Sequence, residues 1–283
     1  MQLFPIHTGN LKLDGGAMFG VVPKSIWNKT YPADENNLIN LAMRCLLVVE
    51  GDRKILIDNG IGDKQDEKFF SHYHLNGNHN LLVSLNKAGY KPEDITDVFL
   101  THLHFDHCGG TVKYNTGHNG FELTFPDATH WVSQPQWDWA TRPNRREKAS
   151  FLLENIVPLQ ESGKLKLFDG PFELIPDFEV RIYNGHTVGQ AIPFINTGKH
   201  TVVFMADTTP TSAHIPLPYI MSYDTQPLIS LIEKEIFLNE AVDNNYILFF
   251  EHDAYFECCV LEKNEKGISV KDRLSLKEAL MCG

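Results

Sequence analysis

The stretch FLTHLHFDHCGG, residues 99–110, constrains this chain more than any other. His102, His104, Asp106 and His107 place four metal-ligand types in six positions, directly after an apolar run and directly before a glycine pair. A solvated loop has little use for three imidazoles at that density, and a packed core is harmed by them unless every ring nitrogen is satisfied. On an extended or loop backbone, residues two apart point the same way, so His102 and His104 form one pair. Asp106 and His107 then turn toward a neighbouring position. The spacing predicts two metal ions, each needing further ligands from elsewhere in the chain.

The surrounding pattern shows where such ligands can come from. Residues 45–60, CLLVVEGDRKILIDNG, read as a hairpin turning at Gly51-Asp52. A short helix is expected from Leu81 to Ala88, closed by Gly89, and a buried strand from Val98 to Leu100. The histidine cluster therefore starts where a strand ends, the place where α/β proteins build sites. A second series of strand-like runs follows at KLKLFDG, FEVRIYNG, AIPFINTG, HTVVFMADT and NYILFFEHD. Three ligand-type residues close runs of this series: His186, Asp207 and His252. A carboxylate after an apolar strand can offer one oxygen to each of two cations, which suits Asp207. Between these runs, Leu228, Leu231, Ile232 and Ile236 have the spacing of an amphipathic surface helix.

Composition excludes several classes. With 42% hydrophobic and 22% charged residues in 283, the chain has globular make-up, and without a linker or tandem repeat it reads as one domain, residues 1–283, with two β-rich halves. A formal charge of −11 disfavours nucleic acid, since phosphate neutralisation needs an excess of Lys and Arg. The basic run TRPNRREK reads as a solvated face. No signal-peptide pattern or membrane-length apolar stretch is visible, so a soluble, cytoplasmic protein without membrane partners is expected, with a homodimer open. Five cysteines, Cys45, Cys108, Cys258, Cys259 and Cys282, are odd in number and contain no C-x-x-C, which disfavours a disulfide framework or a thiolate zinc cluster, and the adjacent Cys258 and Cys259 read as buried thiols. His72, His74 and His79 lack an adjacent Asp-His and are not expected to bind metal, while His118, His130 and His200 are expected at the surface.

The ordered set H-x-H-x-D-H, Gly-His-Thr, a strand ending in Asp and a strand ending in His resembles the metallo-β-lactamase superfamily; Ile57-Asp58-Asn59-Gly60 resembles its early Asp-x-Gly element. The resemblance spans about Leu46 to His252. It implies an α/β fold of αββα type, two mixed β-sheets packed face to face with helices outside. It implies two divalent ions per chain, zinc first, with iron, manganese or cobalt compatible with the same donors. His102, His104 and His186 would hold one ion, Asp106, His107 and His252 the other, with Asp207 bridging and Asp58 steadying the ligands from behind. A hydroxide between two such ions is a nucleophile at neutral pH, and Asp106 is placed by analogy to pass the proton to the leaving oxygen.

The substrate expectation is a lactone or related carboxylic ester, such as an N-acyl homoserine lactone, because LDGGAMFGVVPKSIWNK and FMADTTPTSAHIPLPYIMSYD resemble the quorum-quenching lactonase branch. That resemblance has Met18, Phe19 and Trp27 walling an acyl pocket; ordinary core packing is the alternative. Where those lactonases carry Tyr three residues after the bridging Asp, this chain has Pro210, leaving His214, Tyr219 and Tyr223 as replacements. The same departure makes a phosphotriesterase or phosphodiesterase the runner-up. A non-catalytic metal-binding sensor is the third reading, opposed by the complete ligand set.

Overall fold

The computed structural model describes residues 1–265 and 267–281; Cys282 lies outside them. The chain gathers into two compact units, one from Met1–Asn10, Met43–Gly170 and Gly189–Ala191, the other from Leu11–Ala42, Pro171–Val188 and the residues from Ile192 on.

The first unit is built on a mixed sheet whose strands run Gln2–Asp14, Leu38–Glu50, Arg53–Ile57, Asp97–Phe99, Thr129–Ser133 and Leu165–Phe168 in spatial order. The expected hairpin forms: Glu50 pairs with Arg53, and Gly51 takes the positive φ of 54° that the two-residue turn demands. Beyond it the pairings are parallel, from Arg53–Ile57 through Asp97–Phe99 and Thr129–Ser133 to Leu165–Phe168. Asp97 pins the start of its strand by accepting two 2.7 Å bonds from Arg53 and one of 2.9 Å from Trp131 Nε1. The opposite, C-terminal ends of Arg53–Ile57 and Asp97–Phe99 lead into Asp58 and Thr101, and so into the histidine cluster. Ile6, Leu47, Leu56, Val98, Leu100, Phe125 and Trp137 belong to the core of this unit. The helix Leu81–Lys87 starts where Asn80 accepts from the Leu82 and Val83 amides, and Gly89 follows it at φ 91°.

The second unit carries a sheet in the order Gly267–Leu274, Cys258–Asn264, Ile247–Phe249, Thr201–Phe204, Gln190–Asn196, Phe178–Tyr183 and Phe172–Ile175. It too is mixed: Thr201–Phe204 runs parallel to Ile247–Phe249, whereas the other pairings with assigned register are antiparallel. Asp207 and His252 each lie three residues beyond the ends of those two strands. KLKLFDG departs from the second series and supplies the Leu165–Phe168 strand of the first unit's sheet. No helix among the described residues is long and apolar enough to cross a membrane.

Two expectations are corrected. The helix forms over Pro227–Asp243, but Leu228, Ile232 and Ile236 face solvent, and its buried side chains are Ser230, Lys234, Phe237, Leu238 and Ala241. Polar anchoring sets its rotation: Lys234 Nζ donates to the Pro216 and Tyr219 carbonyls at 3.0 Å, and Glu233 accepts from the Asn184 and Gly185 amides. His130 is not at the surface but fully buried in a strand with neighbours on both sides, where burial pushes its pKa down to about 4. Its flanks, Thr129 and Trp131, are only half-buried, so the side-chain alternation points opposite to the one its polarity suggests. Cys258 and Cys259 are buried free thiols as expected, and Cys45 and Cys108 are buried free thiols too.

Candidate metal centre

In the first unit the cluster grows from the end of Asp97–Phe99. The Asp58 amide donates to the Phe99 carbonyl, and Asp58 itself has a positive φ of 55°. Its buried carboxylate accepts from the Thr101 amide at 2.8 Å and the Thr101 hydroxyl at 2.7 Å, and lies 3.2 Å from His107 Nδ1. The chain then makes a one-turn helix, Phe105–Cys108, carrying Asp106 and His107. The glycine pair permits this turn to sit against the loop after Asp58. A Cβ on Gly109 would come 2.1 Å from the Ile61 carbonyl oxygen, and one on Gly110 would come 2.3 Å from that of Asn59. Lys64, buried with its pKa lowered to about 8 by desolvation, donates to the Gly109 carbonyl. Cys108 packs beneath the turn, and burial pushes its thiol up to about 12.

Each imidazole is turned by a partner behind it. His102 Nδ1 lies 3.0 Å from the Thr101 hydroxyl, which spends its proton on Asp58, so the His102 nitrogen is the donor. His104 Nε2 faces Glu147 at 3.0 Å, and a carboxylate can only accept. With those protons assigned, His102 Nε2 and His104 Nδ1 turn lone pairs toward each other across 3.1 Å. Two facing lone pairs repel unless a cation lies between or beside them.

The second unit presents the same demand more strongly. His186 Nδ1 donates to Asp224 at 2.9 Å, and His252 Nδ1 donates to the Ala42 carbonyl at 2.8 Å. Both Nε2 atoms consequently point at Asp207: His186 at 3.1 Å from Oδ2, His252 at 3.0 Å from Oδ1. Asp207 offers one oxygen to each ring. Desolvation lowers the His186 pKa, but Asp207 and Asp224 together outweigh it and carry it up to about 10. A proton or a metal ion must therefore accompany these groups, and neutral-imidazole and carboxylate donors fit a divalent transition metal. The Gly-His-Thr loop bearing His186 is tied down by Glu233 at the Asn184 and Gly185 amides.

The remaining expected residues are placed differently. Met18, Phe19, Trp27 and His214, expected to wall or touch a substrate pocket, expose 2% or less. Instead they pack together: Phe19 stacks on Trp27 and on His214, with Tyr219 edge-on. Gly15 lacks the Cβ that would collide with Trp27. His214 Nδ1 accepts from Thr211 at 2.7 Å and its Nε2 donates to the Met18 carbonyl, so both nitrogens serve packing, and burial pushes its pKa down to about 3. Tyr219 is half-buried and Tyr223 exposed. His72, His74, His79 and His118 are exposed.

Two residues that orient these imidazoles were not legible in the sequence. Glu147 lies inside the basic run TRPNRREK; Arg142, Arg145, Arg146 and Lys148 there are exposed, while Glu147 is buried and also accepts from Trp139 Nε1 and Asn144. A lone acid among bases carries almost no signal. Asp224 follows a tyrosine in a Ser-Tyr-Asp-Thr loop with no feature that distinguishes it from a turn residue.

The metallo-beta-lactamase superfamily profile matches residues 44–252, and the chain belongs to that superfamily, with its fold of mixed sheets flanked by helices. Among curated proteins, the N-acyl homoserine lactonase of Bacillus cereus is 26% identical over 249 residues, covering 83% of this chain and 87% of the relative. A probable metal-dependent hydrolase from Staphylococcus aureus superposes with a TM-score of 0.88 at 32% identity, covering 97% of this chain and 96% of that one. AidC, a dizinc quorum-quenching lactonase in complex with a product, N-hexnoyl-L-homoserine, gives a TM-score of 0.78 at 25% identity, over 95% and 92% of the two chains. Family and relatives identify a metal-dependent hydrolase.

Proposed function

We propose that this hydrolase opens lactones or cleaves related carboxylic esters at a centre of two divalent ions, zinc first, held by His102, His104 and His186, by Asp106, His107 and His252, and by Asp207 between them. The observation that carries the reading is the Asp207 carboxylate, which offers one oxygen to each of two imidazoles whose opposite nitrogens are already engaged. The matched superfamily region contains all seven residues, and the curated lactonases with the dizinc neighbour support the substrate class. Such ions supply a water deprotonated near neutral pH and a Lewis acid for the carbonyl. The chain's own part is to hold the rings in one tautomer through Thr101, Glu147, Asp224 and Ala42, and to move a proton at the Asp106 carboxylate. Tyr219 and Tyr223 are the side chains proposed to orient the carbonyl in place of the tyrosine that Pro210 replaces. An N-acyl homoserine lactone, and with it a quorum-quenching role, is the particular substrate proposed.

Metal analysis joined to a substrate panel tests this. Two ions per chain, turnover abolished by chelation, and a higher kcat/KM for an acyl lactone than for thioesters or phosphoesters are expected. Preference for a phosphotriester would move the assignment to the phosphoesterase reading that Pro210 leaves open. A fully metallated protein inert on every class yet binding a small ligand tightly would establish a sensor instead.

A further inference from the structure

The second unit carries a hollow of about 240 Å³ whose walls include none of the seven residues assigned to the metal ions; it is formed by Thr30, Tyr31, Ser212, Tyr255, Phe256 and Arg273, with Asp253 at its base. For scale, roughly 150 Å³ accommodates a benzene ring. Asp253 keeps its charge but does not pair directly with the arginine. Its Oδ2 accepts from the Ser212 amide and hydroxyl at 2.9 and 2.7 Å, and its Oδ1 accepts from the Tyr255 and Phe256 amides at 2.9 and 3.0 Å. Arg273 donates its Nε proton to Ser212 Oγ at 3.1 Å and lies 5.5 Å from the centre of the Phe256 ring. No carboxylate among the described residues pairs with its two terminal nitrogens, although the chain has 36 acidic residues against 25 basic ones.

A guanidinium held at Nε and against a ring face loses little freedom when it binds, and its fork matches two oxygens of a carboxylate or phosphate. Beside it, Tyr255 and Phe256 leave 51% and 39% of their surfaces exposed, which offers flat apolar area next to the charge. We propose that this hollow is a binding site for an organic oxyanion, a carboxylate or phosphate carried on a planar apolar body, received bidentately by Arg273 and flanked by Tyr255 and Phe256. The ligand is defined by this pairing of charge with aromatic surface and does not depend on the substrate of the metal centre.

The test titrates benzoate, phenyl phosphate, benzamide and inorganic phosphate into the metallated full-length protein while following the Tyr255 and Phe256 backbone amide resonances. Benzoate or phenyl phosphate is expected to shift both resonances with millimolar affinity, the tighter of the two identifying the oxyanion. Benzamide and inorganic phosphate should bind about tenfold more weakly or worse, one lacking the charge and the other the ring. Arg273→Gln should weaken the organic anion at least about tenfold while ester hydrolysis stays unchanged, and Arg273→Lys, which keeps charge without the fork, should fall between. Equal affinity for benzamide and benzoate, inorganic phosphate as tight as phenyl phosphate, unchanged affinity in folded Arg273→Gln, or no shift with any probe would overturn the site.

Discussion

The two units solve the same ligand problem in opposite ways. The first draws four ligand-type residues from six consecutive positions and orients them with buried carboxylates, Asp58 behind His107 and Glu147 behind His104. The second draws three from separate strand ends, His186, Asp207 and His252, and orients its histidines with Asp224 and one backbone carbonyl. A contiguous cluster has its spacing set by local backbone geometry, whereas a dispersed one depends on strand register. Thr201–Phe204 and Ile247–Phe249 pair in parallel with Phe204 opposite Phe249, which brings Asp207 and His252 to the same end of the sheet. A one-residue slip there would send His252 to the other face.

The largest effect is expected at the residue through which the second unit acts. Asp207→Ala removes the carboxylate facing two imidazoles, so both ions should be lost together and kcat/KM should fall by about a thousandfold or more, since such ions supply several kcal/mol of transition-state stabilisation. His107→Ala, from the contiguous cluster, should empty only one site. Elemental analysis of the two variants measures the difference, and retention of both ions by Asp207→Ala would break the comparison.

Acid sharpens it next, through one buried histidine in each unit. Burial holds His130 near a pKa of about 4 and His214 near about 3, below the unfolded value of about 6.5. Their stabilisation is therefore fully present above about pH 6.5 and is lost as pH falls through this window, for His130 by pH 4. Each should cost about 1.4 kcal/mol per pH unit there. Urea unfolding of the metal-free protein between pH 7 and 4.5 measures the slope. His130→Leu should flatten it by one histidine's worth; an unchanged slope would mean His130 does not stay neutral in the folded chain.

The smallest effects fall on the residues behind the ligands. Glu147→Gln and Asp224→Asn keep a hydrogen-bond acceptor but lose the charge, and each should weaken metal affinity about ten- to a hundredfold. Both losses should fall on the same ion, the one proposed for His102, His104 and His186, because Glu147 backs His104 and Asp224 backs His186. Competition with a chromophoric chelator resolves two affinities, and losses that fall on different ions in the two variants would show that His104 and His186 do not share one.

How much of this could be read beforehand follows the same division. The hairpin at Gly51, the helix after Asn80 and the placement of ligand-type residues after apolar runs were legible because turn chemistry and side-chain alternation act over a few residues. The outward apolar stripe of Pro227–Asp243 was not. Its rotation is set by Lys234 reaching carbonyls 15 and 18 residues away and Glu233 reaching amides 48 and 49 away. Phe19 and Trp27 looked equally suited to a pocket or a core, since their type is the same in both; stacking with His214 decides for the core.

By itself, then, the amino-acid sequence determined the donor types, their order and their positions at strand ends, because these reside in local spacing. Only the tertiary structure decided which nitrogen of each imidazole is left to face the proposed ion. That choice belongs to whatever sits behind the ring, Thr101 next door for His102 but Glu147, Asp224 and Ala42 at 43, 38 and 210 residues' distance for His104, His186 and His252. A hydrogen bond closed across such a separation is specified by packing and strand pairing, and no short window of sequence contains both of its partners.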